Sequence, residues 1–245
     1  MKSLHYLFLP GVVFLSLLAG CRYYQATGYT YEQIQVQSDD TLLQCIIAPY
    51  REGLQAEMEK VIGQAAQDWK KGKPESAIGN LITDIMLEAG DTLFQHKPDF
   101  AVYNYGGIRI DAIYKGEVTK GKIFELLPFD NTMVMVTLDG YSTARLLNKL
   151  AAAGGWPQSG LQLTISNEAA VDVLVQGQPF DTSAVYHVVM NDYMARGGDG
   201  LEMLTDASLE DAGITVRDIV IRGIENRSAG GEALSIETDN RTISE

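Results

Sequence analysis

Histidine and cysteine are scarce in this 245-residue chain: there are three of the first and two of the second. A paired-metal centre for phosphoryl chemistry needs a cluster of His and carboxylate ligands. Three isolated histidines, His5, His96 and His187, offer no such cluster. His96 precedes Lys97-Pro98 in a loop and His187 sits in a strand-like run, places that suit surface or core residues better than metal ligands. No Gly-x-Ser-x-Gly elbow is present to carry a serine nucleophile. Basic residues are also in the minority, with 19 Lys and Arg against 32 Asp and Glu and a net charge of −13. Phosphate backbones are bound by basic faces, so nucleic acid is not the expected partner. The acidity itself speaks to solubility and not to fold. There is no internal repeat, low-complexity tract or Pro-rich linker, and a composition 46% hydrophobic and 21% charged is that of an ordinary globular protein.

The longest apolar run, Tyr6 to Ala19, follows Lys2 and is shorter than the roughly 20 residues that span a bilayer. It ends in Leu18-Ala19-Gly20-Cys21, which resembles the lipobox of bacterial lipoproteins, in which the cysteine is diacylated through its sulfur and becomes the new N-terminus. Residues 1–20 are therefore expected to be a signal peptide, and Cys21 the lipid anchor. A plain secretory signal shares the same small-residue cleavage pattern. The mature chain would lie in the bacterial cell envelope, periplasmic or surface-exposed, and meet the membrane through its lipid. Loss of Lys2 and no acid makes it one unit more negative. Cys45 is then the remaining thiol, so no internal disulfide forms. Within Leu42-Leu43-Gln44-Cys45-Ile46-Ile47 it is expected to be buried as a small apolar residue. Residues 21–40 are polar, with Tyr23, Tyr24, Tyr29 and Tyr31 scattered through them, and read as a tether into a domain of residues 41–245.

Within that domain Leu42 to Ala48 predicts a strand, and the apolar spacing of Leu54, Met58, Val61, Ile62 and Ala65 predicts a helix over 52–70. A second helix is expected from Glu75 to about Phe94. After Pro98 come β-type runs at Asp99 to Tyr103 and Val134 to Leu138, with a short helical segment from Ile123 to Leu127 between them. Gly140 to Ala153 reads as a helix stopped by Gly154-Gly155. Strands are expected at Leu161 to Ile165, Ala170 to Val175 and Ala184 to Met190, and a helix at Val216 to Ile224. Helices and strands interleave throughout, which predicts a single α/β or α+β domain.

Three Gly-rich or turn-like segments carry the polar chemistry. Asn104-Tyr105-Gly106-Gly107-Ile108-Arg109 follows a strand; paired glycines let a backbone approach a ligand closely, and Asn104 and Arg109 supply amide and guanidinium donors. A β-turn accounts for the glycines equally well. In Leu126-Leu127-Pro128-Phe129-Asp130-Asn131 the ring of Phe129 is either a lid on the core or a ligand platform. In Asn191 to Gly200 (NDYMARGGDG), Tyr193 adds a second flat ring and Asp199 an acceptor-only carboxylate in a glycine-bounded turn, although Asp-Gly is also ordinary turn chemistry. Two aromatics, an Asn, an Arg and an Asp meet the needs of a nucleoside. The base stacks between rings and the ribose hydroxyls donate to a carboxylate.

In this order and at this spacing, NYGGIR at 104–109, Leu127-Pro128-Phe129 with Asn131, and YMARGGDG at 193–200 resemble the C-terminal domain of the 5′-nucleotidase family. Ile78-Gly79-Asn80-Leu81-Ile82-Thr83-Asp84 is similar to that family's upstream helix motif, so the likeness covers about Thr41 to Glu245. The resemblance implies a layered α/β domain with sheets flanked by helices. It implies that Phe129 and Tyr193 sandwich the base, Tyr193 standing where many relatives have Phe. Asp199 would hold the ribose hydroxyls, and Asn104, Gly106, Gly107 and Arg109 would contact the nucleoside and the approach to its phosphate. Relatives place an Arg shortly before the Ile-Gly-Asn helix; here Pro74 stands there, beside Lys73. Complete members of the family carry a preceding metallophosphoesterase domain marked by Asp-x-His, Gly-Asp-x-x-Asp, Gly-Asn-His-Asp/Glu and Gly-His-x-His motifs, none of which occurs here. The implied function is the nucleotide-recognition part of a split 5′-nucleotidase with no cofactor of its own, its divalent metals residing in a separate metallophosphoesterase chain. The alternative is a lipoprotein that binds nucleosides without turnover.

Overall fold

The computed structural model describes residues 41–245; the expected signal peptide of residues 1–20, the expected anchor Cys21 and the tether up to Asp40 lie outside the described residues. In chain order the elements are helix α1 (Thr41–Met58), strands β1 (Val61–Ala65) and β2 (Trp69–Lys70), helix α2 (Ala77–Leu93), strands β3 (Phe100–Val102), β4 (Ala112–Ile113) and β5 (Gly116–Thr119), and helix α3 (Lys120–Leu126). Strand β6 (Thr132–Asp139) and helix α4 (Gly140–Ala152) follow, then strands β7 (Gln158–Ser159), β8 (Leu161–Ser166), β9 (Ala169–Val175), β10 (Gln178–Pro179) and β11 (Val185–Asn191). The chain continues with the short helix α5 (Asp192–Ala195), strand β12 (Ser208–Thr215), helix α6 (Val216–Arg227) and strand β13 (Thr242–Ser244). Ile47–Glu245 form one compact unit. Among the described residues no helix is long and apolar enough to cross a membrane.

A five-stranded sheet in the order β12-β6-β11-β3-β7 divides the core into two. Side chains alternate across a strand, and the two faces separate accordingly. Met133 and Met135 of β6, Ala101 of β3 and Val189 of β11 join one cluster with Ile78, Leu81, Ile82 and Ile85 of α2 and Ile219, Val220 and Ile224 of α6. Val134, Val136 and Leu138 of β6, Phe100 and Val102 of β3, and Val188 and Met190 of β11 join the other with Leu146, Leu147 and Leu150 of α4. Leu161, Leu163 and Val175 also enter that second cluster, from a four-stranded sheet in the order β10-β9-β8-β13. The expected layered α/β domain, with sheets flanked by helices, is thus what the sequence forms.

Helix starts are set by side chains that accept from otherwise orphaned N–H groups. Ser76 accepts from Gly79 N, Thr119 from Lys122 N, Asp139 from Ser142 N, Asn191 from Met194 N and Thr215 from Asp218 N. α2 and α4 lie close to their expected bounds, and Gly154 and Gly155 with positive φ end the turn after α4.

Three expectations fail at the N-terminal end. Leu42 to Ala48 is the first half of α1 and not a strand. Ile47, Tyr50 and Leu54 recur at the three- and four-residue spacing of a helix face, and a short apolar run does not by itself distinguish strand from helix. That face is exposed, and so is Cys45, which was expected to be buried. The helix expected over 52–70 ends at Met58, and Val61–Ala65 instead pairs antiparallel with β5. Its partner lies more than fifty residues away, beyond the reach of a local pattern. The ribbon β2–β4, the edge strand β12 and the strand β13 escaped the sequence reading for the same reason.

The C-terminal segment is tied to α2 through Arg241. Its guanidinium donates to Asp84 at 2.6 Å, to Asp239 at 2.8 and 2.9 Å, and to the Gln158 carbonyl at 3.2 Å. Hydrogen bonding from Arg241 holds the Asp239 carboxyl below the usual carboxylate range. A depressed folded-state pKa adds stability above the unfolded value and loses it as pH falls through the folded value. Stability is therefore expected to fall as pH drops below about 4, the ordinary carboxylate region. Urea unfolding of wild type and Arg241→Met across that window checks this: the variant should show a weaker acid dependence, and an identical pH profile would remove the network from the account.

Candidate functional site

Three neighbouring strands bring the site together at one end of the five-stranded sheet. β3 and β11 run parallel, with Val188 opposite Phe100 and Val189 opposite Ala101. β6 is antiparallel to β11, so Asn191 at the end of β11 lies opposite Met133 at the start of β6. The loop leaving β3 (Asn104 to Arg109), the loop leaving β11 (Asn191 to Gly200) and the turn entering β6 (Leu127 to Asn131) therefore meet. Asn104, Gly106, Gly107, Arg109, Phe129, Tyr193 and Asp199, the residues singled out in the sequence, line one cavity of about 340 Å³, with Asn131 beside them.

The polar floor is a chain of hydrogen bonds that starts on a residue the sequence reading did not select. Asn191 is fully buried; its Oδ1 accepts from Met194 N at 2.8 Å and its Nδ2 donates to Asn104 Oδ1 at 2.9 Å. With Asn104 Oδ1 so engaged, Asn104 Nδ2 donates to Asp199 Oδ2 at 2.8 Å. The Tyr193 hydroxyl donates to the other oxygen, Asp199 Oδ1, at 3.1 Å. Each carboxylate oxygen thus accepts one bond and keeps capacity for another. Burial pushes the Tyr103 phenol next to this chain up to about 12, with Asn191 partly opposing the shift, so it stays neutral at physiological pH. The visible signal for Asn191 was its position directly after a β run and three residues before Met194, the spacing of an N-cap.

Asp199 has φ 55 and ψ 28, in the left-handed region, between Gly197 at φ 93 and Gly200 at φ 78. Asp is among the few non-glycine residues that settle there. Gly198 is needed for a different reason: a Cβ on it would lie 2.5 Å from the Tyr193 ring. Gly107 is crowded similarly, since a Cβ there would meet Asn104 Oδ1 at 2.8 Å and the Tyr103 ring at 2.7 Å. Glycine at these positions allows the loops to close on the side chains that line the cavity.

The two rings stand out for their exposure. Phe129 is 46% and Tyr193 44% exposed, whereas Ile108, Leu127, Met133 and Met194 on the same segments are buried. The Arg109 guanidinium lies 5.8 Å from the Phe129 ring centroid and donates to the Gly106 carbonyl at 3.3 Å. Lys71 and Lys73 bracket the neighbouring Tyr105 ring, 4.0 and 4.7 Å from its centroid. Lys71 also donates to the Ile108 carbonyl at 2.8 Å, and Lys73 donates to Ala153. Burial draws the Lys71 ammonium below its usual value, opposed by Asp111 and aided by Arg109 and Lys73. Positive charge therefore gathers beside the Gly106-Gly107 turn. Neither Lys71 nor Pro74 lines the cavity.

The sequence model of the family described as 5′-nucleotidase, C-terminal domain, matches residues 56–206. The chain belongs to that family. A 5′-nucleotidase of Vibrio vulnificus is 28% identical over 177 residues, covering 68% of this chain and 31% of the relative. The crystal structure of a 5′-nucleotidase precursor from Thermus thermophilus matches with a TM-score of 0.69 at 28% identity, covering 84% of this chain and 43% of that one. An NAD nucleotidase of Haemophilus influenzae shares the fold at a TM-score of 0.66 and 20% identity, over 84% of this chain and 41% of its own. The chain thus spans less than half the length of these relatives. Among the described residues, no group of three or more His, Cys, Asp or Glu side chains is gathered to hold an ion. His96 and His187 instead stack on each other, centroids 4.6 Å apart and planes 5° from parallel, and neither lines the cavity.

Proposed function

We propose that the cavity receives the nucleoside part of a nucleotide, and that the domain is the substrate-recognition part of a split 5′-nucleotidase. Phe129 and Tyr193 take the two faces of the base, Asp199 accepts from the ribose hydroxyls, and Asn104 and Arg109 contact the nucleoside and the approach to its phosphate. The convergence of all seven residues on one cavity, with both rings half-exposed and a carboxylate hydrogen-bonded to one of them, carries this reading. Half-exposed rings leave apolar area for a base to cover, worth about 1–3 kcal/mol per stacked base. Arg109, near Lys71 and Lys73, supplies positive charge beside the cavity.

In this proposal hydrolysis falls to a separate metallophosphoesterase chain; that domain's metal motifs do not occur in these 245 residues. Mixing the purified protein with such a chain and adenosine monophosphate should release phosphate only when both are present. Adenosine binding with neither association nor phosphate release would leave a nucleoside-binding lipoprotein in place of the split enzyme. Anchoring through Cys21 belongs to the same proposal. Mass spectrometry of the mature N-terminus should find that residue diacylated, and an unmodified Cys21 would remove the anchor.

A further inference from the structure

We propose that Arg217, outside the cavity, is a positioning residue that fixes the Phe129 platform and thereby sets how strongly the base is held. This rests on the proposal that Phe129 stacks on a base. Arg217 lies in the first turn of α6 and does not line the cavity. Its Nη1 donates to the Leu127 carbonyl at 3.3 Å and the Phe129 carbonyl at 3.5 Å, while Nη2 donates to Asp130 Oδ1 at 2.5 Å. One planar guanidinium thus engages three of the four residues from Leu127 to Asp130. A lysine, with a point charge and no fork, could not reproduce this geometry.

The clamp is anchored at both ends. The guanidinium lies 4.1 Å over the Phe124 ring of α3, and Val216 N, the adjacent backbone group, donates to the Asn131 carbonyl at 2.9 Å. Helix α6 therefore holds the turn at residues 127, 129, 130 and 131. The arginine side chain is 9% exposed, whereas the Asp130 side chain is 83% exposed. A surface ion pair alone would need no buried cation, and burying a charge is unfavourable unless it is paired and hydrogen-bonded. The buried Nε has no partner. So the residue is placed for its fork, at the expense of one unsatisfied donor.

Why the turn needs holding follows from Phe129 itself. Its ring is half-exposed, so little packing from the core fixes it, and the Arg109 guanidinium at 5.8 Å approaches from the cavity side. Backbone restraint from Arg217 supplies what side-chain packing does not. An unrestrained platform would have to be ordered by the ligand, and that ordering lowers affinity.

The test is a double-mutant cycle read by calorimetry with two ligands, adenosine and ribose 5-phosphate, on the full chain. Arg217→Met should weaken adenosine binding about fivefold or more, a sizeable part of one stacked ring's contribution, and leave ribose 5-phosphate binding unchanged. Added to Phe129→Ala, it should cause no further loss, because the group it acts through is gone. Asp130→Asn, at an exposed position where folding is not at issue, should shift adenosine affinity in the same direction by a smaller factor and carries the test if Arg217→Met does not fold. Equal weakening of both ligands, additivity with Phe129→Ala, or unaltered adenosine affinity in the folded variants would overturn the role of Arg217. Failure of the wild type to bind adenosine would instead overturn the stacking proposal and this inference together.

Discussion

Phe129→Ala combined with Tyr193→Ala is expected to lower adenosine affinity by roughly a hundredfold or more, while the urea midpoint of the protein hardly moves. An aromatic stacked on a base contributes about 1–3 kcal/mol by alanine substitution, so two such losses, if close to additive, come to about 2–6 kcal/mol, where every 1.4 kcal/mol makes a factor of ten. Core positions would behave in the opposite way, because truncating a buried aromatic costs about 3–5 kcal/mol of stability. Phe129 and Tyr193 are about half-exposed, so less of that cost applies to them. Tyr193 adds one term that Phe129 lacks, since its hydroxyl donates to Asp199 Oδ1. Tyr193→Phe should therefore separate stacking from the hydrogen bond. Calorimetry on the two variants decides the matter: adenosine affinity within twofold of wild type in the double alanine variant would end the sandwich.

Asn191→Ala should be the most damaging single polar substitution at the site, for stability as well as binding. It removes the acceptor for Met194 N, and losing a cap costs about 0.5–2 kcal/mol. It also leaves Asn104 Oδ1 without its donor, and a buried unsatisfied group costs a further 1–3 kcal/mol or so. The sum is on the order of 2–4 kcal/mol, a large share of the stability of a typical domain. Binding should suffer by a different route. Asn191 fixes which way the Asn104 amide points, and a flipped amide would turn its oxygen on Asp199 Oδ2 in place of the Nδ2 donor. Denaturant unfolding gives the first effect. The second shows in the ratio of adenosine to 2′-deoxyadenosine affinity, which should fall in the variant as Asp199 loses its orientation. A stability change below about 1 kcal/mol would contradict the cap and the network together.

The helices α2, α4 and α6 were legible because each repeats apolar residues at helical spacing and buries the stripe against the central sheet. β6 and β11 were legible for a related reason, as runs of Val, Met and Leu bounded by polar or turn residues. The ribbons β1–β5 and β2–β4 were not, since they are short and their stability comes from partners far along the chain. α1 was misread because Leu42 to Ile47 is apolar at nearly every position, and only the continuing spacing through Tyr50 and Leu54 marks a helix.

At the site, the primary structure carries the chemical inventory: two rings, a carboxylate, an amide and a guanidinium, on loops whose glycines permit close approach. Those groups sit on segments up to ninety-five residues apart, as the Asn104–Asp199 hydrogen bond measures. Folding is what brings them together. The parallel pairing of β3 with β11 and the antiparallel return of β6 put three loops at one sheet end. It also decided the supporting residues, Asn191 and Arg217, which never face the cavity. Their links to the site run through hydrogen bonds to partners 87 and 88 positions away, and no local pattern encodes such distances.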